Sequence, residues 1–246
     1  MTYEPTSDEL NLFDQISKLS QSLQEVSLPA DGGLNDPKTI SVTLYQRLFS
    51  NHRGFALLWN KGLQVEADII LRSGLEVAIC LAANFRAPHV FGRLLESDAA
   101  WTLQSQIKIH RADGDTEMVQ NSEAQFRQIQ SRLGSSSKPA KLDWQSLARH
   151  GEVPRLYDWH KTLSGISSHV TGLSVLRHVN HKGVGAMQEE LARLTRKMHL
   201  MMMATATLQG STFHAGIIEH HALLEASLRL TDHMNAVSHE WPGVAD

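Results

Sequence analysis

Apolar residues recur every three or four positions along most of this 246-residue chain. That spacing places them on one face of an α-helix, and nowhere do β-branched residues alternate over the length of a strand. The pattern predicts an all-α fold, a helical bundle of about eight or nine helices. The predicted helices cover residues 7–26, 37–52, 65–85, 88–110, 116–133, 144–149, 154–170, 184–209 and 212–238.

The chain is predicted to be a single all-α domain with three parts. These are an acidic N-terminal helix (7–26), a core (38–175) and a C-terminal helical hairpin (184–239). Thr6 and Glu9 have the spacing of a capping box, in which side chain and backbone satisfy each other's hydrogen bonds at a helix start. Gly210 followed by Ser211 predicts the break between the two helices of the hairpin.

Charge is spread unevenly along the chain, although its total is only −3. Residues 1–36 hold seven acids and one base, and residues 211–246 hold five acids and one base, which leaves +7 on residues 37–210. A basic segment is suited to phosphate, since neutralised phosphates release counterions. The alternative is that the acidic termini fold across the middle, and we expect the first helix to pack against it.

The composition indicates an intracellular protein. Cys80 is the only cysteine, so no intrachain disulfide forms, and its apolar neighbours predict an inert core thiol. The N-terminus has no basic start followed by an apolar stretch, and no apolar run approaches the roughly 20 residues that span a bilayer. The prediction is a cytoplasmic protein without a membrane partner.

Three charged residues interrupt the most apolar helix. Asp68, Arg72 and Glu76 are spaced four apart and therefore share one face. Burial of such groups is costly unless they are paired, so we expect Arg72 to bond a carboxylate of Glu76 or Asp68. Two interpretations stay open: a structural ion pair between helices, or a polar site inside the bundle. Gly74 on the same helix indicates a close approach by another group.

A second polar stripe follows Pro154. Tyr157 and Ser164 are seven residues apart and share a helix face, and His169 follows at the predicted end of the helix. A helix C-terminus favours the charged form of a histidine. These residues are candidates for ligand contacts (Tyr157, Ser164) and for catalysis (His169).

Together these segments resemble a bacterial family known only as a domain of unknown function. Its members carry an Arg-Ser-x-x-Glu helix and a later Tyr…Ser…His helix. The matching segments are Arg72-Ser73-Gly74-Leu75-Glu76, Trp144-Gln145-Ser146-Leu147-Ala148, Leu156-Tyr157 and Ser164-x4-His169. The resemblance covers roughly residues 40–175, and Val170 stands where the family usually has proline. It implies an all-helical fold without an assigned activity, in which Arg72, Glu76, Tyr157, Ser164 and His169 meet in space.

The 14 histidines of the chain form further patterns of low specificity. His214, His221 and Glu225 have the spacing of one stripe on the last helix, which would suit a divalent ion. No zinc signature accompanies them, so a packed or solvated face is preferred and no metal site is predicted. Arg-x4–6-His spacings, typical of helical ribonucleases, occur about as often as chance expects: Arg47–His52, Arg155–His160 and Arg193–His199.

Two hypotheses of function follow from these residues. The first is a nucleic-acid-processing or nucleotide-handling and phosphate-handling protein, suited to bacterial stress or phage defence and without a cofactor. In it His169 is the general acid or base, Arg72 holds a phosphate, and Glu76 and Tyr157 orient them. The alternative is a non-catalytic helical module for binding or homodimerisation, with the same cluster as a structural polar network.

Overall fold

The computed structural model describes residues 4–27, 32, 36–134, 138–166 and 185–238, with the backbone alone for Ile166 and residues 185–192. The described residues form nine α-helices and no strand, which confirms the predicted all-α bundle. The helices are α1 (Ser7–Val26), α2 (Pro37–Asn60), α3 (Gln64–Arg86), α4 (Pro88–Asp113), α5 (Thr116–Leu133), α6 (Trp144–His150), α7 (Pro154–Ile166), α8 (Gly185–Ile217) and α9 (His221–Ser238).

Side chains satisfy the free amides at the first turns of α1 and α2. The Thr6 hydroxyl accepts from the Glu9 amide at 3.2 Å, and the Glu9 carboxylate accepts from the Thr6 amide at 2.7 Å. This is the predicted capping box. Asp36 accepts from the Thr39 amide at 2.9 Å, and α2 begins at the following proline. Caps of this kind typically contribute about 1 kcal/mol each.

Helix α3 is the centre of the bundle. It contacts α2, α4, α6, α7 and α8. Leu71, Leu75 and Ile79 are fully buried on it, together with most of its other apolar residues. The prediction of a helix buried on most sides is confirmed, and charged residues on α3 are therefore held by neighbours on several helices.

The acidic helix α1 docks by an apolar stripe of four buried residues: Leu12, Ile16, Leu19 and Leu23. It contacts α2, α8 and α9. Glu9, which is buried, pairs with Lys197 of α8 at 3.0 Å. The first helix therefore packs against the basic middle, as predicted, and also against the acidic α9.

The predicted break at Gly210 and Ser211 is wrong, because α8 runs without interruption to Ile217. A Cβ on Gly210 would lie 2.3 Å from Cδ2 of Leu48, and the Ser211 hydroxyl bonds to the hydroxyl of Tyr45 at 2.9 Å. Both residues thus serve close packing against α2. The chain turns only at residues 218–220.

Helix α2 also extends beyond its predicted end near His52, to Asn60. Phe55 and Trp59 continue its buried face past Gly54, and their burial outweighs the low helix propensity of that glycine. The described part of α7 ends at Ile166, so its predicted end near Val170 lies outside the described residues.

Gly151 lies where the turn between α6 and α7 touches α3. A Cβ there would lie 2.7 Å from the Cβ of Ala82 and 3.0 Å from the backbone nitrogen of Ala83. We expect Gly151→Ala to destabilise the protein by about 1–3 kcal/mol, because the backbone of a buried helix has no room to shift. In Gly54→Ala, the control, the new Cβ makes one ordinary contact, 3.8 Å from Ile70, and the helix gains about 0.5–1 kcal/mol. Equal unfolding free energies in urea would contradict this.

Candidate functional site

Arg72 and Glu76 form an ion pair on the face of α3 that was predicted. The distance from Arg72 Nη2 to Glu76 Oε1 is 3.1 Å, which confirms the expected pairing of Arg72 with a carboxylate. The side chains remain 24% and 19% exposed. The pair is therefore partly open to solvent, unlike a core ion pair.

Helix α7 supplies two partners to this pair. Arg72 Nε donates to the Ser164 hydroxyl at 2.9 Å, and that hydroxyl donates to the carbonyl of His160 at 2.7 Å. His160 Nε2 lies 3.0 Å from Glu76 Oε1, and since a carboxylate only accepts, this nitrogen donates. Glu76 thus orients both the guanidinium and the imidazole.

Helix α2 contacts the same motif through Ser73. The Ser73 hydroxyl oxygen lies 3.1 Å from Asn51 Nδ2 and 3.4 Å from Arg47 Nη2. Arg72, Ser73 and Glu76 are partly exposed, and we refer to them as the α3 polar strip. Each polar residue of the R-S-x-x-E segment therefore contacts a residue outside it, on α2 or on α7.

Aromatic rings surround His160. The imidazole lies 5.5 Å from the ring of Trp144 and 6.3 Å from that of Tyr157, between ring centroids. Its Nδ1 is buried and has no hydrogen-bond partner among the described residues. With Nε2 donating to Glu76, Nδ1 is the nitrogen that remains as an acceptor in the neutral ring.

An open depression of about 420 Å³ adjoins the aromatic side of the cluster. It is lined by Gln145, Ala148, Arg149, Glu152, Pro154, Tyr157 and Asp158. Tyr157 is the one candidate residue in its wall, and Arg72 and Glu76 do not line it. The depression therefore borders the cluster without containing the charged pair.

The other end of the charged stripe is closed. Asp68 is 0% exposed, and its carboxylate accepts from His199 Nδ1 of α8 and, at 2.8 Å, from the Gln64 amide. His199 is also buried. The three charged residues thus divide into a buried structural group around Asp68 and a partly open group around Arg72 and Glu76.

The structure brings together some of the predicted site residues. Arg72 contacts both Glu76 and Ser164, and the ring of Tyr157 lies beside that of His160, which bonds to Glu76. His169 lies outside the described residues. Sequence reasoning missed His160 as a site residue, although it is three residues after Tyr157 and four before Ser164, on the same helix face.

The predicted stripe of His214, His221 and Glu225 does not exist, because the turn at 218–220 separates His214 from the other two. In the part of the chain that the structure describes, no three His, Cys, Asp or Glu residues are grouped to hold a metal ion. Burial raises the pKa of the Cys80 thiol to about 12. This confirms the predicted inert core thiol.

Comparison with known proteins gives no relative: no family model, no curated protein and no solved structure matches this chain. The resemblance to the family of unknown function stays a prediction. Among the described residues, no helix has both the length and the apolar character that a bilayer crossing requires.

Proposed function

We propose that this protein binds and processes a phosphate-bearing ligand, with nucleic acid as the favoured class. The observation that carries the proposal is the state of Arg72. Its guanidinium is fixed by Glu76 and by Ser164, yet about a quarter of the side chain (24%) remains exposed. A planar guanidinium held in this way is suited to bidentate recognition of a phosphate.

Each residue of the cluster has a role in this proposal. Arg72 holds the phosphate, and Glu76 is a positioning residue that fixes the guanidinium and the His160 ring. Tyr157 and Ser164 complete the ligand contacts. His169 is the proposed general acid or base, since the imidazole of His160 is buried and engaged by Glu76.

The distribution of charge supports a polyanionic ligand. Residues 37–210, which contain the whole cluster, carry +7 against −3 for the chain. Lys197 is neutralised by Glu9 of the acidic first helix, but Arg47 on the neighbouring α2 is exposed and has no carboxylate partner among the described residues. Docking of α1 therefore leaves positive charge beside the α3 polar strip.

One observation favours the second hypothesis, a non-catalytic binding or dimerisation module. Arg72 and Glu76 satisfy each other, and the open depression beside them lacks both. An ion pair that is satisfied without a ligand is what a structural role requires. Under this hypothesis no phosphate binds at Arg72.

Titration with inorganic phosphate separates the two hypotheses. We expect Arg72→Gln to weaken phosphate binding by about ten- to a hundredfold, the value of a lost charge-assisted hydrogen bond. Isothermal titration calorimetry at low salt measures this. The control is Arg127→Gln, because Arg127 is exposed on α5, away from the cluster. This variant should bind inorganic phosphate as the wild type does. Equal affinity of the wild type and Arg72→Gln would contradict the proposal.

A further inference from the structure

A group of hydrogen-bond donors lies on the α2 side of the α3 polar strip. It consists of Arg47, Asn51 and Ser73. Asn51 Nδ2 and Arg47 Nη2 both donate to the Ser73 hydroxyl oxygen, at 3.1 and 3.4 Å. Arg47 is exposed, and the other two are partly exposed. We refer to these three residues as the second donor cluster, the first being Arg72 with the groups that fix it.

The second donor cluster has more donors than acceptors. A hydroxyl oxygen has two acceptor positions, and at Ser73 the amide and the guanidinium occupy both. The Ser73 proton has no acceptor among the described residues, and Arg47 has no carboxylate partner there. A guanidinium, an amide and a hydroxyl therefore converge without an anion, which is the composition of a phosphate-binding site.

The second donor cluster adjoins Arg72 directly. Ser73 follows Arg72 in the chain, and consecutive Cα atoms lie about 3.8 Å apart. Arg47 is also close enough to Cys80, one turn beyond Glu76, to act on its pKa, as Glu76 itself does. The two arginines thus approach the same stretch of α3 from different sides, Arg47 from α2 and Arg72 towards α7.

We propose that the second donor cluster is a second phosphate subsite, so that the ligand carries phosphates in succession. The proposal rests on the function proposed for Arg72 and adds the substrate class, a chain of phosphates. In this proposal a single phosphate is held at Arg72, whose guanidinium is fixed by Glu76 and Ser164, whereas the exposed Arg47 binds only a phosphate linked to the first. A phosphodiester chain or an inorganic polyphosphate reaches both.

The test compares three probes on the full chain: inorganic phosphate, tripolyphosphate and a short labelled oligothymidylate. Arg47→Gln should bind inorganic phosphate as the wild type does. It should bind the oligothymidylate roughly five- to tenfold more weakly at 50 mM salt, with a salt slope smaller by about 0.7, the value of one contact to a single strand. Arg53→Gln is the control, since Arg53 is exposed on the same helix and lies over Phe49. Arg53→Gln should change neither the affinity for oligothymidylate nor the salt slope.

The variants distinguish failure of this inference from failure of the proposed function. If Arg47→Gln binds both tripolyphosphate and oligothymidylate more weakly, the subsite accepts successive phosphates of a polyphosphate or of a nucleic acid. If it binds oligothymidylate alone more weakly, the ligand is a nucleic acid. If Arg47→Gln behaves as Arg53→Gln does, or loses inorganic phosphate as Arg72→Gln does, the second subsite is refuted. If Arg72→Gln keeps all binding, the proposed function itself fails.

Discussion

Lowering the pH from 7 to 5 should reduce the free energy of unfolding by about 4 kcal/mol, because two buried histidines are neutral in the folded state. Burial lowers the pKa of His52 and that of His214 from 6.5 to about 4. Between these values the unfolded chain binds more protons, so stability is lost as the pH falls from about 6.5 towards 4. Each histidine contributes about 2 kcal/mol of this loss by pH 5 and about 3 kcal/mol below pH 4.

Hydrogen bonds fix the neutral form of the His52 ring. The Ser17 hydroxyl donates to the Phe13 carbonyl, so its oxygen accepts from His52 Nε2 at 2.7 Å. His52 Nδ1 then accepts from the Thr207 hydroxyl at 2.9 Å. A second proton on the ring would lie on Nδ1 and point at the Thr207 hydroxyl, whose own proton already occupies the space between them. This clash adds to the cost of burying the positive charge.

His214 has the same arrangement at the C-terminal end of α1. The Ser27 hydroxyl donates to the Leu23 carbonyl and accepts from His214 Nε2 at 2.7 Å. The Ser41 hydroxyl lies 2.8 Å from Nδ1 and donates to it. In both rings the second proton would go to Nδ1, which faces Thr207 of α8 from His52 of α2, and Ser41 of α2 from His214 of α8. Protonation of the two histidines therefore weakens the contact between α2 and α8.

Urea denaturation at pH 7, 6 and 5 measures the effect. Carboxylates with ordinary pKa values near 4 contribute little above pH 5. His52→Asn should remove about half of the pH dependence, whatever its stability at pH 7. His221→Asn, at an exposed histidine, should leave the dependence unchanged. An unfolding free energy that is constant from pH 7 to pH 5 would contradict the prediction that the two buried histidines make stability depend on pH.

Asp68→Ala should cost about 3–5 kcal/mol, because removal of one partner leaves the others buried and unsatisfied. The carboxylate of Asp68 is fully buried and accepts from His199 and Gln64. Urea denaturation at pH 7 measures the loss. Glu66→Ala on the exposed side of the same helix should cost less than about 1 kcal/mol. Similar values for the two variants would refute the structural role of Asp68.

Much of the fold could be predicted because helix signals are local. The capping box and apolar repeat of α1 act over three or four residues, and the predicted bounds of α1 and α5 agree with the structure. The error at Gly210 has a tertiary cause. Its lack of a side chain serves a close contact with Leu48 on another helix, and a single sequence does not distinguish this use of glycine from a helix stop.

The candidate site could be predicted only in part, for the same physical reason. The pair Arg72–Glu76 lies within one helix at a spacing of four, so the sequence alone indicates it. His160, by contrast, reaches Glu76 only through the packing of α7 on α3. The contact of Arg47 and Asn51 with Ser73 carried no sequence signal, because it depends on the rotation of α2 about its axis.

The buried histidines illustrate the same limit. His52 and Ser17 are separated by 35 residues, and His214 and Ser27 by 187. In the sequence His214 belongs to a regular stripe with His221, which favoured a shared surface. The turn at 218–220 separates them and places His214 in the core against the ring of Tyr45, with 4.1 Å between ring centroids.

The unfolding free energy of Arg72→Ala tests most directly whether Arg72 belongs to an open ligand site. Because Arg72 and Glu76 keep 24% and 19% exposure, water can solvate Glu76 after the guanidinium is removed. An open site predicts a loss of about 0–2 kcal/mol, with inorganic phosphate raising the Tm of the wild type but not that of the variant. A loss of about 3–5 kcal/mol, as expected for Asp68→Ala, with no effect of phosphate on either protein would contradict it.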